Sequence, residues 1–322
     1  MRPPAFIGGF RSGSTLLINY LGLHPRLSAV YETKFLVDLL RIVRLIRDNG
    51  EGAGRELDFL RGWVGRQGLT RAEAVEIMIK QAVRDISLTQ QVLDGTAPDG
   101  KAGHERYALG TNHILWQASE ALETIGPFVE AVRAGHGAST LLPALASSLQ
   151  ALFAMHAARE GKREWVNKTP EILRFQPELR QMLGRVRFIH LIRDGRDVVH
   201  SSVRLHWWSV ETGSRAWKLF IDEVRAHVSV GSQDYLELRY EDLVTDHVGT
   251  LRRVLDFLDI DGDPEAMVAA QERLAPGSTS RSEAEARMGQ WRSAMTAGDR
   301  ATFKAIANDL LISLGYASDA DW

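Results

Sequence analysis

Along the chain, short apolar runs alternate with longer stretches in which apolar positions recur every three or four residues, and the two periods predict strands and helices in turn. Residues 5–8 read as a buried strand that runs into a glycine-rich turn. A helix follows over 15–23, with Leu16, Leu17, Tyr20, Leu21 and Leu23 at helical spacing, and His24-Pro25 stops it. Residues 27–31 make a second strand with Glu32 at its end, and Thr33 caps a helix whose apolar face carries Phe35, Leu36, Leu39, Leu40 and Val43. Residues 51–162 read as a mostly helical insertion, with helices over 56–64, 71–86, 112–125 and 141–159. Residues 95–104 are its best candidate for a mobile loop, and Gly135-His136-Gly137 is a second break. A helical excursion between strands is expected to cap a pocket and to recognise the acceptor.

Beyond the insertion, residues 164–168 form a strand that ends in a Lys-Thr-Pro turn, and a helix is expected from Glu171 to about Leu183. A strand rich in Ile, Leu, Phe and Val then leads to Arg193, with a helix after it. Residues 234–240 read as one more strand with Tyr240 at its end, 248–258 as an amphipathic helix, 275–292 as a polar, basic segment, and 300–314 as the last helix. Alternating strands and helices indicate an α/β fold with a mainly parallel sheet.

Composition narrows the classes. With 322 residues and 44% hydrophobic residues the chain can bury a sizeable core, and we read residues 1–322 as a single domain carrying the 51–162 insertion. Lys and Arg number 39 against 41 Asp and Glu, a net charge of −2 that gives no support to nucleic acid or an anionic membrane as the main partner. With no cysteine, disulfides, thiolate metal sites and cysteine nucleophiles are excluded together. No apolar run approaches transmembrane length, and Met1-Arg2-Pro3-Pro4 passes at once into the first strand. The expectation is a cytoplasmic protein without a cleaved leader or a membrane span.

The chemistry gathers first at residues 8–15. Gly8-x-x-x-x-Gly13-Ser14-Thr15 matches the nucleotide-binding G-x-x-x-x-G-K-[ST] at every fixed position but one, where Ser14 replaces lysine. Arg11 supplies a cation inside the loop, and Ser12, Gly13, Ser14 and Thr15 supply donors where the helix begins, so the loop suits a phosphate-like anion. An ordinary strand-turn-helix connection capped by Ser12 or Ser14 is the competing reading. Glu32, at the carboxyl end of a strand, sits where open α/β sheets place ligands, or else serves as a charge at a helix N-terminus. Lys168 is a strand-end lysine that alone reads as solvated. Arg193 and Ser201, eight residues apart, suit a second phosphate clamp, and a surface network of Arg193–Asp197 or Asp194–Arg196 is the alternative. Trp207, Trp208, Trp217 and Phe220 cover a ring or fill the core, and His104, His113, His200 and His206 read as structural or surface histidines.

Considered together, these stretches resemble the sulfotransferases that use 3′-phosphoadenosine-5′-phosphosulfate (PAPS). Residues 9–17 look like the family's 5′-phosphosulfate loop in its arginine-containing form, and residues 191–201, with Arg193 and Ser201, look like its 3′-phosphate motif. Arg239-Tyr240-Glu241-Asp242-Leu243 is similar to the element whose tyrosine lies near the adenine, and Gly289-Gln290-Trp291-Arg292 resembles the tail that closes on the 3′-phosphate, with Arg281, Arg287 or Arg292 as the closing cation. The histidine that follows Lys-Thr in the animal cytosolic enzymes is absent, because Pro170 follows Lys168-Thr169. Asn167-Lys168-Thr169-Pro170, with Glu32 after His24-Pro25, instead matches the tyrosylprotein sulfotransferase branch and many bacterial relatives.

The resemblance implies a P-loop-like three-layer fold and PAPS as co-substrate without a required metal. It implies Glu32 as general base, Lys168 and Arg11 on the transferring group, and Arg11, Ser12, Gly13, Ser14, Thr15, Arg193, Ser201, Tyr240, Arg287 and Gly289 on the cofactor. The insertion has few cationic clusters and little acidity, which favours a small hydroxylated or phenolic acceptor, as in secondary metabolism, over a glycan or a tyrosine peptide. A P-loop NTPase or kinase-like phosphotransferase, and a non-catalytic nucleotide-binding module, are the alternative functions.

Overall fold

The structure, a computed structural model, describes residues 2–47, 51–93, 116–206, 208–228, 232–274 and 281–322. The 95–104 loop, His104, His113 and Trp207 lie outside the described residues, as does the side chain of Arg281. The described chain forms two compact units.

One unit spans Pro25–Thr169 and Pro177–Val186. Its strands β2 (Leu27–Tyr31) and β3 (Glu164–Lys168) pair in parallel, with Tyr31 opposite Lys168. Helix α2 (Lys34–Arg47) buries Phe35, Leu36, Leu39, Leu40 and Val43 against its neighbours α3 (Glu51–Val64) and α4 (Arg71–Leu93). Helices α5 (Ala118–Arg133) and α6 (Ala138–Arg159) pack on each other. Arg44 forks onto Glu178 at 2.8 and 3.0 Å, and Arg41 meets Glu56 at 3.0 Å, so buried charges on α2 are paired as low-dielectric surroundings require.

The sequence placed one helix over 112–125, and the described helix runs over 118–133, passing straight through Gly126-Pro127. Burial of Phe128 and Val132 outweighs the proline's missing donor there. Helix α6 is also long and apolar enough to cross a membrane, with mean hydropathy 1.4, which corrects the reading that no run approaches that length. Slightly more than half of that stretch, 56%, is buried inside the protein, and Leu141, Leu142, Leu145, Leu149, Leu152 and Phe153 form its inner face.

The second unit spans Arg2–His24, Pro170–Gln176 and Arg187–Trp322. Here β1 (Ala5–Gly8), β4 (Arg187–Ile192) and β5 (Tyr235–Arg239) lie side by side in that order, and both pairings are parallel. Ala5, Phe6, Ile7 and Gly8 are all buried, as expected for a strand covered on both faces. Gly8 lies opposite His190, so β1 and β4 bring their carboxyl ends, and the turns that follow, to the same edge.

Three local readings change in this unit. The helix expected from Glu171 opens as a 3-10 turn, Ile172–Phe175, before α7 (Gln176–Leu183). Tyr240 does not end a strand: β5 stops at Arg239, and Tyr240 opens the short helix α10 (Tyr240–Thr245), after α8 (Gly195–Arg204) and α9 (Val210–Arg225). Helix α11 (His247–Leu258) is followed by α12 (Pro264–Leu274), which apolar spacing did not reveal. The chain closes with α13 (Arg281–Ala286), α14 (Trp291–Ala294) and α15 (Ala297–Ser313).

Candidate active site

The turn after β1 is built to present backbone. Gly9 has φ of 143°, and a Cβ there would stand 2.3 Å from the Leu191 carbonyl, so only glycine fits. Gly13 has φ of 84° and is the N-cap of α1 (Ser14–Gly22), where a Cβ would meet the Tyr240 ring at 2.6 Å. The N-cap glycine has no side chain to cap the helix, the Ser12 hydroxyl has no partner among the described residues and Ser14 lies inside the helix, so the competing reading of a Ser12 or Ser14 cap fails. A helix N-terminus offers amide donors and its dipole to an anion. Arg11 is held at φ of 50°, a left-handed conformation that costs a non-glycine residue roughly 1–2 kcal/mol.

That conformation has a product. The Arg11 guanidinium donates from Nε to the Ser201 hydroxyl at 3.0 Å, which joins the loop to α8. Ser201 and Ser14 are buried and Thr15 is half-buried.

Arg193, at the end of β4, is 5% exposed and held on several sides. It donates to the Arg11 carbonyl at 3.1 Å and to the Arg287 carbonyl, its guanidinium lies 4.3 Å from the Tyr240 ring centroid, and Asp197 stands 3.7 Å away. Both pairings anticipated as a surface network exist, Arg193–Asp197 and Arg196–Asp194, but they are buried and they orient the arginines. Asp197 also accepts from the amides of Gly289, at 2.7 Å, and Trp291, at 3.0 Å. Tyr240 donates to the Ala284 carbonyl at 2.8 Å. Residues 284–291 are thereby pinned beside Arg193, and it is the main chain of Arg287 and Gly289 that makes these contacts.

Three buried atoms in this cluster, the Ser12 hydroxyl oxygen, Nε of Arg193 and Nε1 of Trp291, have no hydrogen-bond partner among the described residues, and the first two lie beside the loop. Buried polar groups are ordinarily satisfied, and an unmet hydroxyl and an unmet guanidinium N–H are both donors suited to phosphate oxygens. The donor set therefore fits a nucleotide with anionic groups.

Glu32 and Lys168 meet in the first unit. The Lys168 ammonium, 1% exposed, donates to Glu32 Oε1 at 2.6 Å and lies 4.2 Å from the Tyr31 ring centroid, which overturns the solvated reading of this lysine. Burial acts to lower its pKa, but Glu32 and Tyr31 outweigh burial and hold it above the ordinary lysine value. Lys34 approaches the other Glu32 oxygen at 3.9 Å.

Sequence reasoning placed Asn167 and Thr169 in the Asn-Lys-x-Pro pattern without a role for either side chain, and the structure supplies one. Asn167 donates to the Val30 carbonyl and to the Thr33 hydroxyl, Thr169 donates to Asn167, and the Thr33 amide donates to Thr169 at 3.0 Å. The net fixes the turn that carries Glu32. It also occupies the Thr33 hydroxyl expected to cap α2.

The remaining candidates fall in the core or at its edge. Trp217 packs on Phe303 with centroids 5.7 Å apart, and Phe220 packs on Phe10 at 4.9 Å. Trp208 also faces Phe10, at 5.7 Å. His200 is half-buried, and burial, aided by Arg204 and Arg193 against Asp197, lowers its pKa. Asp, Glu and His do not gather in metal-binding groups of three among the described residues.

The second unit thus joins parallel strands, a glycine-rich loop ahead of a helix and a buried arginine just past the end of β4. The model described as the sulfotransferase family matches residues 3–264, and the chain belongs to that family. Among solved structures it is similar to the sulfotransferase domain of the Synechococcus olefin synthase, at 19% identity and TM-score 0.52, covering 96% of this chain and 94% of that one. It also matches a Mycobacterium avium sulfotransferase, at 14% identity and TM-score 0.47, covering 97% of this chain and 76% of that one. No curated protein matches.

Proposed function

We propose that the protein transfers a sulfuryl group from PAPS to a hydroxyl of a small hydroxylated or phenolic acceptor. The observation that carries the proposal is the unsatisfied pair of buried donors, Ser12 Oγ and Arg193 Nε, beside the glycine-rich loop. PAPS supplies a sulfuryl group on a phosphate leaving group. Arg11, the hydroxyls of Ser12, Ser14 and Thr15 and the α1 amides hold the 5′ side and offset charge as it develops on the leaving oxygen. Arg193 and Ser201 hold the 3′-phosphate, Tyr240 lies along the adenine, and the Arg287–Gly289 backbone closes over the nucleotide. Glu32 takes the proton of the acceptor hydroxyl, and Lys168, hydrogen-bonded to it, is the cation for the transferring group. The scheme requires no metal.

The test is calorimetric titration with 3′-phosphoadenosine-5′-phosphate (PAP) in EDTA, for the native protein and Arg193→Ala, with ATP and Mg²⁺ in parallel. Metal-independent PAP binding that is lost in Arg193→Ala supports the reading. Binding of ATP–Mg²⁺ with no response to PAP overturns it. For the base, Glu32→Gln is expected to bind PAP as the native protein does while transfer from labelled PAPS to a panel of phenols and alcohols falls by about 10²-fold or more. Near-native transfer removes Glu32 from that role.

A further inference from the structure

The second unit contains a group of aromatic and cationic side chains to which the transfer reaction assigns no task. Arg196 is 3% exposed, and its guanidinium lies 3.7 Å from the Trp291 ring centroid and 4.5 Å from that of Trp322. In the plane of the guanidinium it grips both oxygens of Asp194, and it donates to the Tyr316 carbonyl at 2.8 Å. The two indoles also meet each other edge to face, with centroids 5.3 Å apart. Trp322 is fixed in turn by its Nε1 donating to Asn308 at 2.8 Å and by Phe303 at 5.8 Å.

Each arm of this arrangement leads to Arg193. Asp194 is the residue after it, caps α8 and has its own amide bonded to Glu241. Trp291 has its amide on Asp197, the carboxylate that faces Arg193, and lies in the segment whose Arg287 carbonyl receives the Arg193 guanidinium. A desolvated guanidinium close to aromatic rings is held more tightly than one in water.

We infer that Trp322 is a positioning residue for the 3′ end of the nucleotide: by bracing Arg196 and Trp291 it latches residues 287–292 and α8 in the arrangement that aims Arg193. The inference rests on the second unit being the nucleotide site. Trp322 itself touches no nucleotide, so its effect passes through the latch.

The test compares PAP titrations of the native protein, Trp322→Ala, Trp322→Phe and Asn308→Ala, with thermal midpoints measured in the absence and presence of PAP. Trp322→Ala is expected to weaken PAP binding about tenfold and to shrink the PAP-induced rise in midpoint, while Trp322→Phe, which keeps an aromatic face, restores most of both. Asn308→Ala, a milder change that frees the indole and serves if Trp322→Ala does not fold, is expected to weaken binding by about two- to threefold. A purely structural role lowers the midpoint without PAP and leaves PAP affinity unchanged. Native-like affinity in Trp322→Ala, or in Asn308→Ala where the former does not fold, overturns the latch, as does failure of Trp322→Phe to rescue. If the native protein does not bind PAP, it is the nucleotide reading that fails.

Discussion

At the scale of single residues, the loop gives up stability for binding. Ser12 is 1% exposed and its hydroxyl has no partner among the described residues, which is a cost of about 1–3 kcal/mol in the ligand-free protein. Ser12→Ala removes the unsatisfied group and a donor to the nucleotide together. The variant is therefore expected to melt at or above the native temperature and to bind PAP about tenfold more weakly, as scanning calorimetry and titration can establish. A lower melting temperature with unchanged affinity assigns the hydroxyl to the fold instead. Arg11 follows the same logic, since its left-handed backbone is strained and the strain delivers its side chain to Ser201. The sequence announced these residues because the loop admits few types at Gly9, which packs on the Leu191 carbonyl, and at Gly13, which has positive φ and packs on the Tyr240 ring. It marked Asn167 and Thr169 as part of a motif but did not disclose their bonds, which reach back to Val30 and Thr33 across more than 130 positions, a relation no local pattern encodes.

At the scale of elements, legibility followed the physical period. Strands over 27–31 and 164–168 lie where the sequence put them: the first is a short, mostly apolar run, and the second, Glu-Trp-Val-Asn-Lys, is marked by the Lys-Thr-Pro turn that ends it. The strand reading failed at Tyr240 because Leu236, Leu238 and Tyr240 keep a period of two while the backbone has already turned into a helix. Helix α12 was missed although Asp263 accepts from the Ala266 amide and Pro264 opens the helix, a start signal that weak apolar spacing hid. The start of α8 depends on a contact invisible in sequence. A Cβ on Gly195 would lie 2.7 Å from the Trp217 indole, whereas one on Gly213, in α9, would lie an ordinary 3.4 Å from Val199. Gly195→Ala is expected to lose about 1–3 kcal/mol through overpacking and to weaken PAP binding as α8 moves, and Gly213→Ala to be neutral or to gain up to about 1 kcal/mol. Urea unfolding of the two variants checks the contrast, and equal stabilities refute the steric argument.

At the scale of the whole molecule, the family and the parallel α/β character were readable because four motifs fall in the right order, but the charge balance of the interior was not. The strands of the second unit carry a buried polar cluster. His190 and the Tyr235 hydroxyl are 2.6 Å apart, Tyr235 donates to Glu237 at 3.1 Å, and Arg225 forks onto Glu237. Burial acts to raise the Glu237 pKa, but hydrogen bonds from His190 and Arg225 outweigh it and carry the value from 4.5 to about 2. Burial lowers the His190 pKa below its ordinary 6.5 against the pull of Glu237. Both shifts act in one direction. As pH falls below about 6.5 the unfolded chain takes a proton at His190 that the folded chain refuses, and below about 4.5 it takes one at Glu237 as well, so stability present at neutral pH is lost in two stages. Urea midpoints are expected to be level above pH 7, to decline from about 6.5, and to fall more steeply under 4.5. The His190 share is isolated by difference: His190→Gln cannot take that proton in either state, so its midpoint falls less than the native one between pH 6.5 and 5, while the steep loss under 4.5 persists. If the variant and the native protein decline in parallel through that window, the histidine is not the group that titrates there.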